Sequence, residues 1–150
     1  MLRNVDPLLT PELLYVLAAM GHGDELVVAD ANFPADSVAR GTVYGRAVPL
    51  AGVGTPAAVR GILSLLPLDD FVEEPVRRML VDDRPDELPP VQHELQAAID
   101  AAAGRARPMG GLERLAFYEA ARRAYAVVAT GERRFWGNAL IRKGVIPPET

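Results

Sequence analysis

Short apolar runs bounded by turn residues alternate along this chain with longer stretches of helical periodicity. That alternation restricts the fold more than any other feature of the sequence. Thr10-Pro11-Glu12 opens a first helix with an N-cap hydroxyl, a proline at the first helical position and an acid in the first turn. Leu13, Leu14, Leu17 and Met20 then share one face, and Gly21 reads as the stop, because glycine takes the left-handed conformation without steric cost. "ELVVADA" from Glu25 reads as a short buried strand, and "NFPADS" as a loop in which Pro34 and its polar neighbours break both periodicities. "TVYGRAVPLAG" is a weaker extended segment. Thr55-Pro56 repeats the cap-and-proline pair ahead of the helix "AAVRGILSLL", which Pro67 ends. A strand is placed near Val76 to Val81, "DDRPDELPP" is an exposed acidic connection, and "VQHELQAAIDAAAG" is a helix stopped by Gly104. "GGLERLAFYEAARRA" reads as another helix, "YAVVAT" as a strand, Gly131 as a turn and "NALIRKGVI" as the last strand. This order predicts an α/β fold: one three-layer domain over residues 1–150, with a mixed β-sheet flanked by helices.

Composition bounds the function classes. A chain of 150 residues with 49% hydrophobic residues has a globular composition and enough core to fold without staples. The absence of cysteine removes disulfides, thiolate nucleophiles and zinc–thiolate sites. Sixteen Lys+Arg against 20 Asp+Glu, a net charge of −4, leaves no electrostatic footprint for nucleic acid. "MLRNVDPLLT" lacks the apolar core of a signal peptide, and no apolar run approaches the roughly 20 residues of a membrane span. The expectation is a soluble cytoplasmic protein without a membrane partner. The histidines lack metal-ligand spacing, so no metal site is expected.

Four places can carry chemistry. "MGHGDELVVADANFP", Met20 to Pro34, sets His22 between two glycines, where its ring is accessible and can take and give a proton near neutral pH. The same residues also suit a plain helix C-terminus, where a cationic histidine favours the dipole. Asp30 closes the following apolar run, and it can orient the imidazole, hold a substrate hydroxyl or cap the turn at "NFP". Arg114 and Tyr118, four apart on a helix, share a face suited to a polyhydroxyl or anionic ligand; alternatively, Arg114 is solvated and Tyr118 packs in the core. Trp136-Gly137-Asn138 offers an aromatic face for sugar C–H groups, a bare backbone and a bifunctional amide, or else a core tryptophan beside a turn. Asp69 and Asp70, after "LLPL", are pocket carboxylates or loop solvation, and His93 is a surface residue of its helix. "GVGTPAAVRG" lacks the Gly-Lys-Ser/Thr ending of a phosphate loop, and no serine sits in a nucleophile elbow.

Taken together, "PELLYVLAAMGHGDELVVADANFPA", "ERLAFYEAARRAYAVVATGE" and "WGNALIRKGVIP" resemble the L-fucose mutarotase and D-ribose pyranase family. The resemblance runs nearly end to end and is weakest through the acidic middle, Asp82 to Met109. It implies an α/β fold assembled into a ring-shaped decamer with sites at subunit interfaces. It also implies a cofactor-free isomerase whose partner is a free monosaccharide, interconverted between its ring forms. By that resemblance His22 matches the catalytic histidine, Asp30 a sugar-binding aspartate and Asp69 a further acidic position near the site. Arg114, in "ERLAFYE", matches the substrate-binding arginine of the fucose branch, and Tyr118 the tyrosine of the same motif. Gly137 and Asn138 match the last two residues of a Tyr-Gly-Asn triplet. Trp136 departs from it: an indole can stack on a sugar and donate, but it cannot move a proton as a phenol does. Arg114 and "TGE" favour the fucose branch, hence an L-fucose mutarotase. A D-ribose pyranase and a sugar-binding accessory of transport or regulation without efficient catalysis are the alternatives.

Overall fold

Leu26, Val27, Val28 and Ala29 are all fully buried, which explains why this run carries no polar residue. The structure, a computed structural model, describes residues 1–149. It joins β1 (Glu25–Ala29), β2 (Ala47–Leu50), β3 (Val76–Met79), β4 (Gly110–Leu112), β5 (Ala126–Thr130) and β6 (Ala139–Arg142) into one six-stranded sheet, ordered β2-β5-β1-β6-β3-β4. β1 is therefore central. Its alternate residues feed two cores: Leu26 and Val28 pack with α1 (Pro11–Ala19), α3 (Thr55–Leu63) and α4 (Pro90–Ala103). Val27 and Ala29 pack with α2 (Ala35–Ala39) and α5 (Arg114–Arg122). The architecture is thus a sheet with helices on both faces, the three layers that the alternation predicts.

The sheet is mixed because of one strand. β5 runs parallel to both β1 and β2, and β3 runs parallel to β4, whereas β6 is antiparallel to β1 and β3. In the β1–β6 ladder Val28 faces Ala139 and Glu25 faces Arg142. The residues just after β1 and just before β6 therefore meet at one end of the sheet, and the residues before β1 and at the end of β6 meet at the other. This reversal distributes the candidate site.

Local departures from the sequence reading each have a physical cause. α1 ends at Met20 in an extended conformation, and the left-handed residue is Gly23, at φ +86°, not Gly21. Thr10 caps α1 as expected, accepting the Leu13 N–H at 3.2 Å. Thr55 does not cap α3; its hydroxyl donates instead to the Gly137 carbonyl at 2.8 Å. The "NFPADS" loop contains the start of α2, for which Pro34 is the cap residue and not a breaker. "GGLERL" divides: Gly110–Leu112 pairs with β3, and Glu113 caps α5 by accepting the Leu115 and Ala116 N–H groups. Arg77 and Arg78 make one side of β3 polar: Arg77 pairs with Glu25, and Arg78 donates to Gln92 Oε1 and to the Pro85 and Glu87 carbonyls. Among the described residues no helix is long and apolar enough to cross a membrane.

Candidate active site

The residues that the sequence singles out fall into two groups at opposite ends of β1. His22 precedes the strand and Asp30 follows it, so the length of β1, about 17 Å at 3.3 Å per residue, lies between them.

At the first end, His22 Nε2 lies 3.2 Å from Asp69 Oδ1. Asp69 is fully buried, and it also accepts Arg142 Nε at 2.8 Å and the Phe71 N–H at 3.1 Å. Burial drives the Asp69 carboxyl upward, but Arg142, the Phe71 N–H and His22 more than offset this and hold it below the ordinary carboxylate range. A buried carboxylate fixed by three donors is a rigid orienting group for an imidazole. With the Nε2 proton directed at Asp69, Nδ1 is the ring nitrogen left with a lone pair. The Phe71 ring, exposed to 77%, lies 5.4 Å from the imidazole. A Cβ on Gly23 would stand 3.1 Å from Arg142 Nη2, so the second glycine of Gly-His-Gly makes room for the guanidinium as well as supplying its positive φ. Asp30, one of the groups read as able to orient the imidazole, does not touch it; Asp69 does.

At the second end, Asp30 and Asn138 clasp each other across the β1–β6 ladder. Asn138 Oδ1 accepts the Asp30 N–H at 2.7 Å, and Asn138 Nδ2 donates to Asp30 Oδ2 at 3.1 Å. Asp30 Oδ1 accepts the Asn32 and Phe33 N–H groups at 3.0 and 2.9 Å, which closes the turn at "NFP". Burial raises the Asp30 carboxyl above its ordinary value, against the opposing pull of these donors. Around the pair lies an open cleft of about 160 Å³, lined also by Met79, Phe33, Arg114, Tyr118, Phe135 and Trp136. Tyr118 meets Phe33 edge-on at 5.4 Å, and the Arg114 guanidinium stands 5.9 Å from the Tyr118 ring while Asp82 holds its Nε at 3.0 Å. Arg114 and Tyr118 therefore face the cleft together and are not simply a solvated cation and a core ring. Trp136 is half-buried at φ +69°; it packs against the second core and also lines the same cleft. Gly137 has no room for a side chain: a Cβ would lie 2.9 Å from Glu132 Cγ.

The cleft thus offers acceptors at Asp30, a cation at Arg114, and aromatic faces at Trp136 and Phe135. It sits at the carboxyl ends of β1 and β3, where open α/β sheets place ligands. Arg142, Phe71 and Met79 were not singled out from the sequence. Each is recruited by a strand end or a loop, and only the pairing of β6 with β1 and β3 reveals it. His93, read as a surface residue, is exposed.

The model of the RbsD / FucU transport protein family matches residues 3–146. The fucose mutarotase of Danio rerio is 48% identical over 150 residues, covering 99% of this chain and 96% of that protein. The crystal structure of the fucose mutarotase from Streptococcus pneumoniae in complex with L-fucose superposes with a TM-score of 0.87 at 35% identity, covering 97% of this chain and 100% of that one. The structure of Bacillus subtilis RbsD complexed with D-ribose, at 20% identity and a TM-score of 0.70 over 97% of this chain and 99% of that one, shares the fold.

Proposed function

The chain belongs to the RbsD / FucU transport protein family, and on that premise we propose that it is an isomerase, a fucose mutarotase that interconverts the anomers of free L-fucose. The observation that carries this reading is the cleft at the end of β1, where a buried carboxylate, a guanidinium and an indole face converge. Those are the groups that a small polyhydroxyl ring with one apolar face requires. The identity to fucose mutarotases over nearly the whole chain supports the same substrate.

Mutarotation is a proton exchange around one carbon. A base removes the proton of the anomeric hydroxyl, the C1–O5 bond breaks, and an acid protonates the ring oxygen. The freed aldehyde rotates about C1–C2, and the reverse steps close the ring on either face. Nδ1 of His22, with Nε2 held by Asp69, is the group positioned to take and return the proton. Asp30 and Arg114 fix the ring through its hydroxyls, and Trp136 covers its C–H face. The indole of Trp136 leaves phenolic proton transfer at that position to none; Tyr118 is the hydroxyl that the cleft retains.

Because His22 and Asp30 stand at opposite ends of β1, one chain cannot close both on one sugar. We therefore place the site between copies: the His22–Asp69 end of one subunit faces the Asp30–Asn138 cleft of the next, in a homo-oligomeric ring that is a decamer by family resemblance, working in the cytoplasm. Exposed aromatics flank both ends, Phe71 beside His22 at 77% and Phe135 on the cleft at 71%, as surfaces awaiting cover do.

The test is anomer exchange by saturation-difference NMR with L-fucose, D-ribose and a panel of other sugars, on native protein and His22→Ala. Accelerated exchange of L-fucose that the variant loses is the expected result. Binding without accelerated exchange would leave a sugar-binding protein, and a preference for D-ribose would make it a pyranase.

A further inference from the structure

A tryptophan at φ +69° occupies backbone space that side chains other than glycine seldom use, and it persists only where its surroundings hold it there. The polar group that binds the Trp136 carbonyl itself is one side-chain amide. Gln92, on α4 and fully buried, donates from Nε2 to the Trp136 carbonyl at 2.9 Å and to the Met79 carbonyl at 2.8 Å. Its Oε1 accepts Arg78 Nη1 at 2.7 Å, so every polar atom of the side chain is used. Both carbonyls belong to residues lining the cleft, one from the end of β3 and one from the loop before β6.

We propose that Gln92 is a positioning residue of the sugar site, one that touches no sugar but fixes Trp136 and Met79 relative to each other and so sets the shape of the cleft. The proposal rests on the sugar reading of that cleft. The local geometry argues for a role beyond general stability. Apart from their packing in the same core, Met79 is tied to this loop by Asn138, whose carbonyl lies 3.4 Å from the Met79 N–H and whose Nδ2 lies 3.7 Å from Met79 Sδ. Without Gln92 the Trp136 carbonyl loses its donor, and the left-handed turn that presents the indole is free to relax.

The same helix supplies the control. One turn on, the Gln96 amide is equally occupied, donating to Asp100 and to the Arg107 carbonyl and accepting the Met109 N–H, but it serves a loop away from the cleft. Trp136 is the chain's one tryptophan, so its fluorescence reports on this turn alone. In Gln92→Leu the emission of the sugar-free protein is expected to shift, and L-fucose affinity, titrated by that emission, to fall roughly tenfold or more, because small misplacements of binding groups are costly. Gln96→Leu is expected to lower the melting temperature and leave both readings at native values. If Gln92→Leu does not fold, Gln92→Glu keeps the length and the Arg78 contact, replaces the donating nitrogen with an oxygen, and is read in the same two ways. Unchanged emission and affinity in a folded Gln92 variant, or equal changes in Gln96→Leu, overturn the proposal. If native protein fails to bind L-fucose, the sugar reading fails, and the emission comparison still decides whether Gln92 holds Trp136.

Discussion

At His22 the controlling partner is Asp69, and the character of that carboxylate decides what the imidazole can do. Asp69 has no exposure to solvent, is met by Arg142, Phe71 and His22, and is held below the ordinary carboxylate range. Its contribution to stability follows by linkage. An unfolded aspartate titrates near about 3.9, and below that value the unfolded chain binds a proton that folded Asp69 still refuses. Stability from Asp69 is therefore complete above the unfolded value and is lost as pH falls through the folded one. Asp69→Asn should melt at a lower temperature than native protein near neutral pH, with a deficit that shrinks steadily in acid; thermal denaturation across a pH series reads it. A deficit that does not depend on pH would mean that the carboxylate is not held as described. Asp30 carries the opposite sign, since its raised carboxyl favours folding when protonated and that contribution is lost as pH rises through the folded value. Because Asp30 is common to both proteins, the difference between them isolates Asp69. Asp69→Asn should also slow L-fucose exchange by about 10²-fold, the low end of what a positioned acid–base group supplies.

The elements show what local pattern can reveal and what it cannot. α4 was legible because fourteen residues of amphipathic periodicity end at Gly104, which takes φ +71° as a C-cap. β4 was not, since three residues of Gly-Gly-Leu have no period of their own and become a strand only by pairing with Arg77–Met79. Thr55 misled for a related reason: its position before a proline fits a cap, but its hydroxyl is claimed by Gly137 from a loop 82 residues away. That loop, between β5 and β6, shapes the cleft, and its point of close packing next to Asn138 is Gly137. There a Cβ would meet Glu132 Cγ at 2.9 Å and Thr55 Oγ1 and Val91 Cγ2 at 3.3 Å. Glu132 cannot readily retreat, since it is buried and bound by Arg134 and the Thr55 N–H. Gly137→Ala should therefore cost about 1–3 kcal/mol, the usual range for overpacking. It should also weaken sugar binding by displacing Asn138. Chemical denaturation and a sugar titration measure the two effects; a native affinity in the variant would show that the loop gives way without moving Asn138.

Across the whole molecule, much of the candidate site's residue set was legible and its layout was not. The motif around His22, the Arg114–Tyr118 pair, Asp69 and the stretch ending in Asn138 supply many of the groups described, whereas Arg142, Phe71 and Met79 carry no pattern that marks them. Only the antiparallel run of β6 against β1 shows that those groups sort to two ends of the sheet, with Asp69 and Arg142 joining His22 while Asn138 joins Asp30. The proposed sharing of the site between copies makes a demand that a site within one chain does not. His22→Ala and Asp30→Ala should each abolish accelerated exchange alone, since every interface then lacks one half. In oligomers co-assembled from equal amounts of the two variants, an interface is intact when its imidazole comes from an Asp30→Ala copy and its aspartate from a His22→Ala copy. Random assembly produces that pairing in about a quarter of interfaces, one half multiplied by one half, so about a quarter of native activity should return. Mixing without subunit exchange should return none, which separates complementation from residual activity of either variant. Recovery that fails in verified mixed oligomers would mean that both halves serve the same copy, and the distance along β1 would then have to be closed by a rearrangement of the chain itself.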